Sequence, residues 1–256
     1  MKGPSDADVA AWLAQPGLHL VALDFDGTLA PIVDRPEDAA LPEVTRPILE
    51  RLASTHTLAI VTGRDVKSVD ALLRMPDVWR IGLHGHERCA PNTPAEALEA
   101  HALDEATAKE IEERRVAAKA AVASIEGAWI EDKSSGLAMH TRACAPDDEV
   151  EAQRRFTEVM AGAPLELVRG KRVVEARPRG VHKGTALLAL ADELGAKSVF
   201  YAGDDVTDED AFESLAGREG ALTVKVGEGA TRASHRVQDP PALRRVLEAL
   251  TARGRA

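Results

Sequence analysis

The sequence is poor in the residues that mark several large classes of protein. Its 256 residues include two cysteines, and aromatic residues make up 3%. Cys89 and Cys144 form no C-x-x-C pair, so neither a disulfide framework nor a cysteine zinc site is indicated. No apolar stretch approaches the roughly 18 residues of a membrane span, and the N-terminus lacks the apolar core of a signal peptide. We therefore expect a cytoplasmic protein with no membrane partner.

Basic residues are also in deficit. Lysine and arginine number 32 against 42 aspartates and glutamates, which gives a formal net charge of −10. This balance argues against a general nucleic-acid binder, although a local basic pocket for an anionic ligand is compatible with it. Hydrophobic residues at 45% and charged residues at 29% are typical of a globular protein with a substantial core.

Apolar segments alternate with helical patterns at both ends of the chain. Short apolar runs of this kind, separated by helices, favour a parallel α/β sheet. The predicted strands are residues 18–23, 57–61, 79–83, 198–202 and 222–226, and the predicted helices are 42–53, 65–73, 184–194 and 240–251.

The middle of the chain has a different pattern. Residues 96–125 form a charged, alanine-rich stretch that predicts a long helix. Two predicted hairpins follow, 129–141 and 165–176, separated by a helix at 147–160. We therefore predict an α/β fold with a Rossmann-like parallel-sheet core over residues 1–95 and 180–256. An α+β insert at 96–179 interrupts this core.

The most informative segment is V-A-L-D-F-D-G-T-L at residues 21–29. Asp24 and Asp26 follow a predicted strand, and side chains two positions apart in an extended chain point the same way. Two carboxylates beside Gly27 and Thr28 suit nucleophilic attack on phosphorus next to a divalent cation. Asp-Gly between apolar segments is also a hairpin-turn signal, which is the alternative interpretation.

Polar groups stand after other predicted strands as well. Thr62-Gly63-Arg64 follows the second strand, and Lys183 stands at the start of a helix. Ligands of open α/β sheets bind beyond the carboxyl ends of the strands, where these groups would meet Asp24 and Asp26. Lys183 alone could equally be a surface lysine.

A second acidic group is the segment G-D-D-V-T-D at residues 203–208. Asp204, Asp205 and Asp208 are crowded enough to raise one another's pKa unless a cation offsets them. Together with Asp24 and Asp26 they predict an octahedral Mg²⁺ site built from oxygens. An acidic first turn of a helix is the alternative.

These segments resemble the four motifs of the haloacid-dehalogenase (HAD) superfamily of phosphohydrolases. D-F-D-G-T-L, V-T-G-R, the lone lysine and G-D-D-V-T-D stand in that family's order, and the insert stands where type-2 cap domains occur. The resemblance implies that Asp24 attacks phosphorus to form an aspartyl-phosphate and that Asp26 is the general acid and base. It further implies phosphate binding by Thr62, Gly63 and Lys183, Mg²⁺ binding by Asp24, Asp26 (through its backbone carbonyl) and Asp204, and supporting roles for Asp205 and Asp208.

Three longer segments closely resemble trehalose-6-phosphate phosphatases. They are E-D-K-x-x-G-L-A-x-H-x-R, G-K-R-V-V-E-A-R-P-x-G-V-H-K-G and G-D-D-V-T-D-E-D-A-F. This resemblance implies that the trehalose moiety is contacted by Glu131, Lys133, Arg142 and Glu175 in the insert, with Arg64 and His84 on the core side. A solvated hairpin face is the alternative for the insert residues. One departure is Leu83, since family members often have a polar residue just before the His-Gly pair.

The resemblance implies Mg²⁺-dependent hydrolysis of trehalose 6-phosphate to trehalose and phosphate, the last step of trehalose biosynthesis. We expect a monomer with a small-molecule substrate and no nucleic-acid partner. The alternatives are a phosphatase for sucrose-phosphate or mannosylglycerate-phosphate, a phosphosugar mutase, or a non-catalytic sugar-phosphate-binding module. The last would typically lack the nucleophile or the metal-binding acids, all of which are present here.

Overall fold

The computed structural model describes residues 1–33 and 35–251. The chain divides into two compact units, one made of Met1–Ala100 with His182–Ala256 and one of His101–Val181. The sequence-based junctions differ from these by five residues at the first boundary and two at the second. The last five residues of the predicted core range lie outside the described residues.

The helices and strands have the following bounds. The strands are β1 His19–Leu23, β2 Thr57–Val61, β3 Trp79–Gly82, β4 Glu87–Cys89, β5 Glu99–Ala100, β6 Trp129–Lys133, β7 Gly136–His140, β8 Leu165–Gly170, β9 Val173–Pro178, β10 Ser198–Gly203, β11 Ala221–Val226 and β12 His235–Val237. The helices are α1 Asp6–Leu13, α2 Arg46–Thr55, α3 Val66–Leu73, α4 Glu105–Val122, α5 Pro146–Met160, α6 Lys183–Glu193, α7 Val206–Leu215 and α8 Pro240–Leu250.

The first unit is built on an eight-stranded sheet of order β12-β11-β10-β1-β2-β3-β4-β5. The six strands from β12 to β3 are parallel, and β4 and β5 pair antiparallel at one edge. Strand β1 is central, with both neighbours parallel to it, so the hairpin alternative at Asp26-Gly27 is wrong. The predicted α/β fold with a mainly parallel sheet is confirmed.

Helices cover both faces of this sheet, which explains why its strands read as continuous apolar segments. On β1, Val21 and Leu23 join a core formed with α1, α2, α3 and α8. The alternate residues Leu20 and Ala22 join a second core with α6 and α7. Every residue of β1 is buried, so the strand delivers the polar residues after it to the end of a fully covered sheet.

The second unit is a four-stranded antiparallel sheet of order β6-β7-β9-β8. Its apolar face includes Leu137, Met139 and Val174, which share a core with residues of α4 and α5. Alternate residues on β6 and β9 point to the opposite side of the sheet, because an extended chain has a period of two, and several of them carry charge. We call this opposite side, which includes Glu131, Lys133 and Glu175, the polar face.

The prediction of one long helix over residues 96–125 is wrong for residues 96–104, which precede the helix. The helix α4 begins after Asp104, whose side chain accepts a hydrogen bond from the backbone N–H of Thr107. Upstream, Glu99–Ala100 pairs with β4 as an edge strand. Alanine and glutamate favour a helix locally, and pairing at the sheet edge overrides that preference. Among the described residues, no helix is both long and apolar enough to cross a bilayer.

Candidate active site

Asp24 and Asp26 leave the end of β1 with different partners. Asp24 is buried, and its backbone N–H donates to the carbonyl of Ala202 on the neighbouring strand β10 at 2.9 Å. The side chain of Asp26 is 36% exposed and is ion-paired with Arg64. The two carboxylates are therefore unequal, one enclosed and one accessible to solvent.

Lys183 connects Asp24 to the second acidic segment. It is the first residue of α6, and its buried Nζ donates to Oδ1 of Asp24 and to Oδ1 of Asp208, both at 2.7 Å. Asp208 also accepts hydrogen bonds from the hydroxyl of Tyr201 at 2.6 Å and from the backbone N–H of Asp205 at 2.8 Å. These bonds hold Lys183 in one place beside Asp24.

The buried charges shift one another's pKa. Burial disfavours the charged form of Lys183, but Asp208 and Asp24 outweigh this and raise its pKa, so it stays an ammonium group. Burial acts to raise the pKa of Asp208, and the charge and hydrogen bond of Lys183 overcome this and lower it. The pKa of Asp24 is raised, first by burial and then by repulsion from Asp208 and Asp204, against the pull of Lys183. Asp24 therefore stands where additional positive charge would be stabilising.

The residues around Asp24 fit a divalent cation. Asp24, Asp204 and Asp208 are buried and offer carboxylate oxygens that all lie within 4.8 Å of one another. The hydroxyl of Thr28 lies 3.3 Å from Oδ2 of Asp24 and 3.5 Å from Oδ1 of Asp204. Such an all-oxygen set suits Mg²⁺. Because Asp208 is engaged by Lys183, Tyr201 and Asp205, Asp24 and Asp204 are the carboxylates best placed to hold the ion.

Gly27 allows Asp204 to come this close. Its φ is +78°, and a Cβ placed on it would lie 2.3 Å from Oδ2 of Asp204. A side chain here would displace that carboxylate. The glycine of the D-G pair thus serves the approach of Asp204, and its backbone N–H donates to the carbonyl of Ala30 at 2.7 Å.

Lys225 is a member of this region that the sequence analysis missed. It is buried at the end of β11, and its Nζ donates to the backbone carbonyl of Asp204. A lysine between the valines of an apolar strand could have indicated it, because a buried ammonium group needs a partner. Its charge further offsets the acidic cluster.

Thr62, Gly63 and His84 lie together at the ends of β2 and β3. The backbone N–H of His84 donates to the carbonyl oxygen of the buried Thr62 at 2.9 Å. A Cβ on Gly63 would lie 2.7 Å from the imidazole of His84, so the ring packs directly on this glycine. Leu83 and His84 both have positive φ, +46° and +57°. A polar residue such as asparagine tolerates that conformation better than leucine, which gives a physical reason for the family pattern at position 83.

The remaining predicted sugar-contacting residues lie in the second unit. On the polar face, Nζ of Lys133 and Oε1 of Glu175 form an ion pair at 2.8 Å. Glu131 Oε2 lies 2.7 Å from Nε2 of His140, and Glu131 and Glu175 are both in register with Ala138. Arg142 lies in a turn after β7, beyond the end of that strand. Burial acts to raise the pKa of Glu131, but the hydrogen bond from His140 and the charge of Lys133 lower it overall.

The chain matches known proteins over most of its length. Residues 22–244 match the model of the trehalose-phosphatase family. The chain is 35% identical over 236 residues to Escherichia coli trehalose-6-phosphate phosphatase, covering 89% of this chain and 85% of that protein. It is 36% identical over 245 residues to a bifunctional trehalose-6-phosphate synthase/phosphatase of Thermoproteus tenax, covering 91% of this chain and 32% of that protein.

A solved structure shares the fold. The C-terminal domain of C. albicans trehalose-6-phosphate phosphatase superposes with a TM-score of 0.87, covering 98% of this chain and 97% of that one at 24% identity. At this identity the likeness concerns the fold alone. The family match and the sequence relatives carry the assignment, and the chain belongs to the trehalose-phosphatase family.

Proposed function

We propose that this chain hydrolyses trehalose 6-phosphate to trehalose and phosphate in trehalose biosynthesis. The observation that carries the proposal is the buried bridge of Lys183 between Asp24 and Asp208, next to Asp204. A fixed ammonium group beside a buried carboxylate suits phosphoryl transfer, which depends on positioning and on charge stabilisation. Membership of the trehalose-phosphatase family supports the choice of substrate.

In the proposed mechanism, Asp24 is the nucleophile. A carboxylate oxygen of Asp24 attacks phosphorus, the bond from phosphorus to the sugar oxygen breaks, and Asp26 gives its proton to the leaving alkoxide. Asp26 then takes a proton from the water that attacks the aspartyl-phosphate, which releases phosphate and regenerates Asp24. The greater exposure of Asp26 supports its role, since this group must exchange protons with sugar and water.

The phosphoryl oxygens are proposed to be bound by Thr62, Gly63 and Lys183. The Lys183 ammonium group donates directly to Oδ1 of Asp24, which places its positive charge beside the proposed nucleophile. Asp208 and Asp205 support that position, because Asp208 holds Lys183 and the N–H of Asp205 holds Asp208.

Asp24, Asp204 and the backbone carbonyl of Asp26 would hold Mg²⁺. When bound, Mg²⁺ supplies positive charge that offsets repulsion between the nucleophile and a phosphate dianion.

Sugar recognition is proposed for Glu131, Lys133, Arg142 and Glu175, together with Arg64 and His84. Sugar hydroxyls are bound by directional hydrogen bonds, in which a carboxylate accepts and an ammonium group donates. The side chains of Lys133 and Glu175 are largely buried, 11% and 12% exposed, so the pair is held in place for such contacts. The cytoplasmic location and the monomeric state stay sequence-based predictions.

A substrate panel tests the proposal. Phosphate release by the purified chain with Mg²⁺ should be fastest, in kcat/KM, on trehalose 6-phosphate compared with sucrose-phosphate, mannosylglycerate-phosphate and glucose 6-phosphate. Asp24→Asn serves as the inactive control for contaminating phosphatases. A higher kcat/KM on another sugar phosphate would identify that compound as the preferred substrate instead. Phosphate release no faster than that of Asp24→Asn on all four substrates would show that the chain does not catalyse this reaction.

A further inference from the structure

Trp129 is an exposed aromatic residue on the polar face of the second unit. It is 44% exposed, whereas the chain's other tryptophans, Trp12 and Trp79, are buried. It begins β6, and strand alternation puts its side chain on the same side as Glu131 and Lys133. A large apolar ring thus stands beside charged groups in a row along one strand.

The indole of Trp129 is held in a defined orientation. It stacks on the imidazole of His140, its cross-strand partner, with ring centroids 4.2 Å apart and planes 11° from parallel. His140 is in turn hydrogen-bonded to Glu131 at 2.7 Å. One face of the indole therefore rests on a ring that is itself fixed, while 44% of the residue stays exposed to solvent.

We propose that Trp129 is a sugar-binding residue whose indole packs against the C–H face of a pyranose ring, beside the hydroxyl-binding groups Glu131, Lys133 and Glu175. A pyranose carries its hydroxyls around the rim and apolar C–H groups on its faces. Sites that combine aromatic area with a few placed polar groups match both parts of such a ligand. This assignment rests on the proposed function, because it needs a sugar phosphate as the substrate.

A structural role for Trp129 makes a different prediction. Strand β6 lies at the edge of its sheet, and a bulky residue there could shield the edge from another chain. Loss of such shielding would lower the stability of the fold or promote association between chains. It would lower activity on every substrate equally, whereas loss of a sugar contact would lower activity only on substrates that carry the sugar.

The test compares Trp129→Ala with Trp129→Phe. We expect Trp129→Ala to raise the KM for trehalose 6-phosphate about three- to ten-fold with little change in kcat, the range that one aromatic contact typically supplies. Its kcat/KM for p-nitrophenyl phosphate, which has no sugar, should stay at the wild-type value. Trp129→Phe keeps an aromatic face and should stay within about two-fold of the wild type. Val150→Ala, at an exposed position of α5 in the same unit, is the matched control and should change neither value.

Binding is measured separately from turnover. Trehalose 6-phosphate added to an Asp24→Asn background should change the tryptophan fluorescence, and Trp129→Phe in that background should abolish the change. The Trp129 assignment is overturned by an unchanged KM in Trp129→Ala or by equal losses on both substrates. If the wild type does not hydrolyse trehalose 6-phosphate but hydrolyses p-nitrophenyl phosphate, it is the proposed substrate that fails.

Discussion

Arg64 holds Asp26 by a two-point ion pair. Its Nε lies 2.7 Å from Oδ2 of Asp26, and a second guanidinium nitrogen lies 2.8 Å from Oδ1. Both oxygens of the proposed general acid and base are thus engaged by one side chain. In the sequence analysis the resemblance assigns Arg64 to the sugar, while the structure joins it to Asp26.

This pair leads to a prediction for Arg64→Ala. If Arg64 positions Asp26, its loss should lower kcat roughly ten-fold or more on both trehalose 6-phosphate and p-nitrophenyl phosphate, because both need Asp26 to activate water. Arg64→Lys keeps the charge without the two-point geometry and should recover little of the rate. A loss confined to trehalose 6-phosphate would instead support a sugar contact, and steady-state kinetics on both substrates decide between these results.

Asp24→Asn should abolish turnover and leave the fold intact. An amide cannot form the aspartyl-phosphate, and the substitution removes one of several crowded carboxylates, so the folded state loses little. Phosphate release measures the activity, and the midpoint of thermal unfolding should stay within a few degrees of the wild type. Retention of wild-type phosphatase activity by Asp24→Asn would refute the assignment of Asp24 as the nucleophile.

Gly27→Ala should weaken binding of the cation. The added Cβ would meet the carboxylate of Asp204, so the Mg²⁺ concentration for half-maximal activity should rise. Gly227→Ala is a matched control, because Gly227 has nearly the same φ, +79°, with nothing within 4 Å of its Cβ position. Both variants should lose about 1 kcal/mol of stability from backbone strain. Equal Mg²⁺ requirements in the two variants would contradict the proposed role of Asp204.

Glu131→Ala and Lys133→Ala should impair trehalose 6-phosphate hydrolysis more than that of p-nitrophenyl phosphate. Both side chains are on the polar face, and each would lose hydrogen bonds to sugar hydroxyls that the aryl substrate does not have. The ratio of the two kcat/KM values measures the effect. Proportionate losses on the two substrates would argue against sugar recognition by this face.

The stabilisation by Glu131 should depend on pH. Its pKa in the folded state is below the ordinary value of 4.5, so its ionised form stabilises the fold above about pH 4.5. This contribution is lost as the pH falls through the lower folded-state pKa. The thermal midpoint of the wild type should therefore exceed that of Glu131→Gln at neutral pH, and the difference should shrink as the pH falls below 4.5. If the difference in thermal midpoint does not shrink in acid, the ionised form of Glu131 is not the source of the stabilisation.

Local pattern was sufficient to predict most of the fold. The run from Leu20 to Leu23 is apolar at every position because both faces of β1 are covered, and that property is visible in the sequence. The parallel sheet follows from such runs, and the antiparallel insert follows from the two predicted hairpins. The three-residue strands β4 and β12 were missed, because they are too short to show a period.

By itself, the sequence determined the element types, the acidic motifs and the family they resemble, since periodicity and motif spacing are local properties of the chain. The tertiary structure decided which side chains meet. Lys183 lies 159 positions from Asp24 in the sequence. No local pattern predicts that its Nζ donates a hydrogen bond of 2.7 Å to Oδ1 of Asp24. The same holds for Arg64 with Asp26 and for Lys225 with Asp204. Each pairing depends on the order in which the parallel strands assemble, because that order brings distant strand ends to one edge of the sheet.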